Sequence, residues 1–134
     1  MERRHATCVA LNGEGILITG PSGSGKSDLA LRLIERGAVL LADDQVELQV
    51  EKGELIARPP AAIKGMIEAR YIGPLKTPYL EKVPLALILE PGTPERLPEL
   101  QTRELLGVSL PLLILPYFEG STPAKIRLFL EQAA

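Results

Sequence analysis

The stretch Gly20-Pro21-Ser22-Gly23-Ser24-Gly25-Lys26-Ser27 matches the pattern G-x-x-x-x-G-K-[ST] at every fixed position. It follows an apolar run at 15–19 and opens a run with helical spacing at 27–36. Glycines in such a turn let successive backbone N–H groups point inward around a phosphate, and the start of the helix adds partial positive charge. Lys26 can then reach the terminal phosphates, and the Ser27 hydroxyl can ligate Mg²⁺. The sequence therefore predicts that these eight residues form a phosphate-binding loop, called the phosphate loop below.

The residues that flank the phosphate loop predict strands on both sides of it. Asn12-Gly13 separates two apolar runs, which is typical of a β-hairpin. Gly37 follows the helical run and predicts that the helix stops there, because glycine readily adopts the left-handed conformation of a helix end. The continuous apolar run 38–42 predicts a fully buried strand, and the alternating residues 45–57 around Lys52-Gly53 predict a half-exposed hairpin.

The second half of the chain is less periodic. Prolines are frequent between 59 and 84, which predicts that much of this region is loop. Residues 85–90 predict another buried strand, and 110–115 predict a last strand at a sheet edge, because prolines interrupt and follow it. Thr122 as N-cap with Pro123 at the first helical position predicts a C-terminal helix. The predicted fold is a single P-loop-containing α/β domain with a mixed β-sheet, a phosphate-loop helix and a C-terminal helix.

The composition bounds the class of protein. A chain of 134 residues matches the size of one domain (1–134), and 46% hydrophobic against 24% charged residues excludes a disordered protein. The net charge of −2 disfavours a general binder of nucleic acids or anionic membranes. No apolar run approaches the ~20 residues of a membrane span and no signal peptide is evident, so we expect a cytoplasmic protein. The single cysteine, Cys8, excludes an internal disulfide and a cysteine-based zinc site, and its apolar neighbours predict a buried thiol.

Two adjacent carboxylates, Asp43 and Asp44, come directly after the buried strand predicted at 38–42. In open α/β sheets ligands bind at the carboxyl ends of strands, so this pair is expected beside the phosphate loop. Adjacent residues on a strand point to opposite faces, which favours two different roles, one near Mg²⁺ and one near the acceptor. The alternative is a turn-forming Asp-Asp at the end of a strand.

Three further polar residues are candidates for the same site. His5 is the only histidine and opens the first predicted strand. Glu68 and Arg70 are two residues apart, so an extended segment would present both on one face, an anion for a metal and a cation for a phosphate. The alternatives are a solvated or hydrogen-bonded structural histidine and a solvated charged pair.

Taken together, these elements resemble the catalytic domain of the HPr kinase/phosphorylase family. That family phosphorylates a serine of HPr, the small phosphocarrier of the sugar phosphotransferase system, and removes the phosphate by phosphorolysis. The resemblance rests on His5-x-Thr7, on 15–27, on Arg36-Gly37, on 41–46 and on 63–73. It is close over the first half of the chain and loose after residue 73. Long members carry a separate N-terminal domain, so this chain resembles a short form.

The resemblance implies a role for each matching residue. Asp44 would be the base that takes the seryl proton in phosphorylation and returns it in the reverse direction. Ser27 and Glu68 would hold Mg²⁺, with Asp43 nearby. The implied cofactors are ATP and Mg²⁺, and the implied partner is HPr or an HPr-like phosphocarrier.

The resemblance also implies residues that act on the transferred phosphoryl group. His5 and Arg70 would line the transfer site together with Lys26, and Arg96 stands where the family has a further active-site arginine. Long members carry a Gly-Arg-Asn segment tied to phosphorolysis, where this chain reads Gly-Ser-Thr-Pro-Ala-Lys at 120–125, with Lys125 or Arg127 as the candidate substitutes. Long members are hexameric, so a homo-oligomer is implied as well.

Two other functions are open from the residues alone. A small-molecule or nucleotide kinase could use the same loop, but such enzymes carry an arginine-rich lid and 91–103 holds only two arginines. A nucleotide-sensing module without turnover is disfavoured because a mere binder needs no proton acceptor such as the Asp pair. All five aromatic residues lie at position 71 or later, so none is near the phosphate loop in sequence to indicate an adenine slot.

Overall fold

The computed structural model describes residues 1–133. Its strands are β1 Glu2–Arg4, β2 Thr7–Leu11, β3 Glu14–Ile18, β4 Val39–Ala42, β5 Val46–Glu51, β6 Glu54–Arg58, β7 Met66–Ala69, β8 Gly73–Lys76, β9 Val83–Pro91, β10 Gln101–Leu105 and β11 Val108–Leu115. Its helices are α1 Lys26–Glu35, α2 Thr122–Ala133 and the 3₁₀ turn Ala61–Ile63. Within the described residues, neither α-helix combines the length and apolar composition needed to cross a membrane.

In the described part of the chain, nine strands form one mixed sheet, and β7 and β8 form a separate hairpin. Seven of the nine strands follow the order β1-β5-β6-β9-β3-β2-β4, and β11 and β10 branch from β9. Strand β9 pairs in parallel with β3 along one edge. Its other edge is shared, because β6 pairs with residues 83–84 and β11 pairs in parallel with residues 88–91. Strand β10 continues the sheet beyond β11. Pairing one strand with three others makes the sheet curl.

The pairing brings four strand ends to one edge of the sheet. Strands β3, β9 and β11 run in parallel. Strand β2 is antiparallel to both β3 and β4, so β4 points in the same direction as β3. The phosphate loop after β3, the Asp pair after β4 and the loops after β9 and β11 therefore meet at this edge, which is where open α/β sheets bind ligands.

The central strands are buried on both faces. On one face α1 and α2 cover residues such as Ile16, Ile18 and Leu87, and on the other face the curled sheet closes over residues such as Leu17 and Cys8. The Cys8 side chain is fully buried, and burial raises the pKa of its thiol far above the ordinary range. The prediction of a buried core thiol is confirmed.

Local turn chemistry accounts for the predictions that hold. Asn12 and Gly13 both have positive φ, 51° and 80°, as a tight hairpin turn between β2 and β3 requires. Lys52 and Gly53 repeat this geometry between β5 and β6. Gly37 has φ 104° directly after the end of α1. The two hairpins and the helix stop are confirmed.

The prediction that much of 59–84 is loop is confirmed, with 66–69 and 73–76 as the main exception, because these residues pair as the β7–β8 hairpin. Two other predictions about the second half are wrong. Strand β11 is not an edge strand. The parallel pairing of β11 with β9 covers only residues 112–115, so Pro111 is tolerated before that pairing begins.

The second wrong prediction concerns the start of α2. Thr122 does not cap the helix through its side chain, because its hydroxyl donates to the Pro116 carbonyl at 2.7 Å. The first helical backbone bond instead runs from the Lys125 N–H to the Ser121 carbonyl, at 3.0 Å. The helix itself is confirmed, with bounds Thr122–Ala133.

Candidate active site

The phosphate loop turns sharply between β3 and α1. Gly20, Gly23 and Gly25 have φ of 141°, 83° and 98°, a region that favours glycine. Gly25 is the N-cap of α1, and no side chain of the described residues caps the helix there. The first backbone N–H groups of α1 are therefore available to an anion, and the helix dipole favours one at this position.

The donors inside the loop suit phosphate oxygens. The Lys26 side chain is buried, and its Nζ donates to the carbonyl oxygens of Gly20 at 2.7 Å and Pro21 at 3.0 Å. The Ser24 hydroxyl is also buried and has no hydrogen-bond partner among residues 1–133. A buried unpaired hydroxyl is costly, but Ser24 does not line the cavity that Lys26 and Ser27 share. The Lys26 ammonium and the open backbone N–H groups at the start of α1 are the donors that fit the phosphates of a nucleotide.

Asp43 ties the phosphate loop to two other elements. Its Oδ1 accepts hydrogen bonds from Thr7 Oγ1 and Ser27 Oγ, both at 2.8 Å, and its Oδ2 accepts one from the Glu68 backbone N–H at 2.8 Å. The carboxylate is only 6% exposed, so these donors replace the water that it loses. Strand β2, α1 and β7 therefore converge on a single side chain.

The Ser27 hydroxyl and the Asp43 carboxylate present oxygen atoms of the type that Mg²⁺ prefers. In the described part of the chain no three His, Cys, Asp or Glu side chains cluster as a metal cage. Mg²⁺ usually keeps waters and substrate phosphates in its shell beside one or two protein ligands. The donor set at Ser27 and Asp43 fits that kind of site.

Asp44 leaves Asp43 in a different direction. Strand β4 ends at Ala42, and Asp44 has φ 76°, so a left-handed turn rather than strand alternation separates the two side chains. Asp44 is 71% exposed, and its Oδ1 lies 2.8 Å from His5 Nε2. One carboxylate is thus buried against the phosphate loop, and the next faces solvent beside the only histidine.

These residues line one cavity of about 700 Å³. Strand β7 presents Glu68 to it, with Arg70 just beyond the strand end, while the alternate residues Ile67 and Ala69 are buried. The structure brings together on this cavity the predicted residues His5, Ser22, Gly23, Gly25, Lys26, Ser27, Asp43, Asp44, Glu68 and Arg70.

Residues 1–79 match the protein family described as HPr Serine kinase C-terminal domain. The chain belongs to this family. The resemblance seen in the sequence is therefore confirmed at the level of the family.

Curated relatives extend the match beyond residue 79. The chain is 37% identical over 138 residues to the HPr kinase/phosphorylase of Caldicellulosiruptor bescii, covering 92% of this chain and 44% of that protein. It is 47% identical over 78 residues to the HPr kinase/phosphorylase of Clostridium tetani, covering 58% of this chain and 26% of that protein. The chain thus spans less than half the length of these two relatives.

A solved structure has the same architecture. The Hpr(Ser) kinase/phosphatase of Coxiella burnetii superposes with a TM-score of 0.86 at 27% sequence identity, covering 99% of this chain and 96% of that one. The curled mixed sheet with two helices is therefore the fold of this HPr kinase structure.

Not every residue carried over from the HPr kinase family lies at this cavity. Arg96 lines a second cavity of about 500 Å³, between the loop after β9, strand β11 and α2. Lys125 lines that second cavity too and pairs with Glu119 at 2.9 Å. The structure does not bring Arg96 to the phosphate loop, and its catalytic role stays a prediction without geometric support.

Sequence reasoning assigned no role to Thr7 or Phe118, which also line the cavity. The role of Thr7 as a donor to Asp43 had no local signal, because the two residues are joined only through the pairing of β2 with β4. Phe118, which lines the cavity from the loop after β11, had none either. Only the meeting of strand ends at one sheet edge brings these side chains to the phosphate loop.

The hydrogen bond from Thr7 to Asp43 gives a stability prediction. We expect Thr7→Val, which keeps the shape but removes the donor, to lower the free energy of unfolding by about 1.5–3 kcal/mol, as for a bond to a buried charged group. Thr102→Val on the exposed face of β10 is the matched control and should change little. Urea denaturation measures both, and equal midpoints for the two variants would contradict the role of Thr7.

Proposed function

We propose that this chain is an ATP- and Mg²⁺-dependent protein serine kinase that phosphorylates HPr or an HPr-like phosphocarrier. The observation that carries the proposal is the His5–Asp44 pair, 2.8 Å apart, on the same cavity as the Lys26 ammonium and the Ser27–Asp43 pair. Phosphoryl transfer needs donors for the phosphates, oxygen ligands for a metal and an acceptor for the hydroxyl proton. A module that only senses nucleotide does not need an acceptor for a hydroxyl proton.

The phosphate loop would hold the nucleotide. Its backbone N–H groups and the Lys26 ammonium would bind the terminal phosphates, and Ser27 with Asp43 would hold Mg²⁺, with Glu68 at the edge of the same cavity. When bound, Mg²⁺ would neutralise negative charge on the phosphates. The buried Asp43 keeps the Ser27 hydroxyl oriented by accepting a hydrogen bond from it at 2.8 Å.

Asp44 would take the proton of the attacking serine. Its carboxylate is exposed, so the hydroxyl of a docked protein can reach it. His5 holds one carboxylate oxygen at 2.8 Å and leaves the other free to accept the proton. Arg70 is an exposed cation on the cavity and would bind the phosphoryl group during transfer.

The residues of this chain support phosphorylation of HPr more than the reverse reaction, phosphorolysis. In the segment 120–125, which differs from the family's Gly-Arg-Asn, the cation Lys125 faces the second cavity. Of the two candidate substitutes, neither Lys125 nor Arg127 lines the cavity at the phosphate loop, which favours the kinase direction over phosphorolysis.

The test is incubation of the chain with ATP, Mg²⁺ and HPr, with phosphoryl gain scored by intact mass. We expect one phosphoryl group on HPr and none on an HPr variant whose acceptor serine is alanine. ATP consumed without transfer to HPr, when small-molecule acceptors are added, would favour a small-molecule kinase. Absence of turnover with every acceptor, at nucleotide concentrations that saturate binding, would favour a sensor.

The metal ligands give a second prediction. We expect Ser27→Ala and Glu68→Gln each to raise the Mg²⁺ concentration needed for half-maximal activity, because the first change removes an oxygen ligand and the second replaces a charged oxygen ligand by a neutral one. Glu81→Gln is the matched control, since Glu81 is an exposed carboxylate that pairs with Lys64 away from this cavity. A Mg²⁺ titration in which Glu68→Gln matches the wild type would leave Glu68 as a solvated charge.

A further inference from the structure

Phe118 is an exposed aromatic side chain seated on the phosphate loop. It is 67% exposed, yet its ring lies so close to Gly25 that a Cβ atom there would approach the ring Cζ to 2.7 Å. Gly25 thus has two reasons to be glycine, its positive φ and the close approach of the ring. One face of the loop is covered by the ring, while most of the ring surface stays open to solvent.

The backbone on both sides of Phe118 is anchored. The guanidinium of Arg32 on α1 donates to the carbonyl oxygen of Glu119 at 3.1 Å and to that of Tyr117. The buried Tyr117 donates its hydroxyl to the Thr19 carbonyl, at the end of β3, at 2.7 Å. The ring is therefore positioned by its neighbours rather than by burial of its own, and it is preorganised for a flat partner.

The order of the strands indicates which partner that is. The Asp pair follows β4, two strands from β3 on one side, and Phe118 follows β11, two strands from β3 on the other side. A phosphate chain bound in the phosphate loop with its terminal phosphate towards Asp43 and Asp44 has its other end directed away from them. That end carries the nucleoside, and Phe118 is the aromatic residue on that side of the cavity.

We propose that Phe118 is the stacking platform for the nucleobase of the bound nucleotide. The inference rests on the proposed function, because it takes the phosphate loop to bind a nucleoside phosphate. Every base offers a π-face, so the ring contributes affinity without selecting between adenine and guanine. The platform comes from the far end of the chain, which explains why no aromatic near the loop in sequence announces it.

The test compares ADP with pyrophosphate, which has the phosphates and no base. In calorimetry with Mg²⁺, we expect Phe118→Ala to lower the affinity for ADP by about 5- to 150-fold, as for removal of one base–aromatic stack, and to leave the affinity for pyrophosphate unchanged. The affinity for GDP should fall by the same factor as the affinity for ADP. Leu128→Ala, an exposed apolar residue on α2, is the control and should change neither ligand.

A second variant reads the contact directly. The chain contains no tryptophan, so Phe118→Trp introduces the sole indole, and we expect ADP but not pyrophosphate to quench its fluorescence. Equal ADP affinity in Phe118→Ala and the wild type would overturn the inference alone. Equal losses for ADP and pyrophosphate would overturn it too, because the ring would then support the loop. A wild-type chain that binds neither ligand would overturn the phosphate-loop proposal and this inference with it.

Discussion

Replacement of Asp44 by asparagine is expected to lower phosphoryl transfer to HPr by about 10²–10⁴-fold, the usual worth of a positioned acid–base group. Asparagine keeps the shape of the side chain and can still bond to His5, but it cannot take the seryl proton. The residue is 71% exposed, so the change should not disturb the core. Nucleotide affinity should stay the same or rise slightly, because a negative charge near the phosphates is gone.

The neighbouring carboxylate provides the matched control. Asp43 is 6% exposed and accepts a hydrogen bond from the Ser27 hydroxyl, so Asp43→Asn should weaken Mg²⁺-dependent nucleotide binding as well as phosphoryl transfer. Calorimetry for nucleotide affinity and intact mass for HPr separate the two variants. Transfer at the wild-type rate in Asp44→Asn would show that Asp44 is not the general base, and it would remove the main argument for a kinase over a nucleotide sensor.

The parts of the fold that sequence predicts are those with local causes. Glycines with positive φ shape three of these elements: the phosphate loop, the Asn12-Gly13 turn and the Gly37 helix stop. In each case the residues next to the glycine in sequence are sufficient to predict the turn. The burial of Ala38 and of 40–42 follows from an unbroken apolar run, in which Val39 is the one half-buried residue. In these places the local conformation and the global pairing agree, so a short window of sequence is sufficient.

The parts that sequence misses depend on pairing partners far along the chain. Strand β10 is exposed along residues 101–104, so it shows neither an apolar run nor a buried alternation. It is a strand because β11 offers it an open edge, a condition that no residue of β10 encodes. The β7–β8 hairpin is equally hard to predict from the sequence. Its turn has a positive φ at Tyr71, and tyrosine is not a residue type that indicates such a conformation.

The site shows the same division. The motif alone predicts that Lys26 and Ser27 belong to the site, whereas the contacts of Asp43 with Thr7 and Glu68 depend on the complete sheet. Adjacent-residue alternation gave the expectation of separate roles for the Asp pair, and the side chains do diverge. The cause of the divergence is a left-handed turn beyond the strand rather than strand alternation, and the separate roles stay a prediction.

Lys26 carries the second large effect. We expect Lys26→Ala to reduce phosphoryl transfer by at least about 10²–10³-fold, because it removes a preorganised positive donor from the position of the terminal phosphates. Its Nζ now satisfies the Gly20 and Pro21 carbonyls, within the loop itself, so the change is confined to the turn. Pyrophosphate binding should weaken along with ADP binding, in contrast to the effect expected at Phe118.

Two companion variants isolate the charge of Lys26 from its packing. Lys26→Met keeps an apolar stem in the buried position and should lose as much activity as Lys26→Ala, whereas Lys64→Ala removes a surface ammonium and should lose none. Circular dichroism checks that all three fold. Activity restored in Lys26→Met would mean that the stem supports the loop and the ammonium does not act. Wild-type turnover in Lys26→Ala itself would overturn the assignment of 20–27 as a phosphate loop.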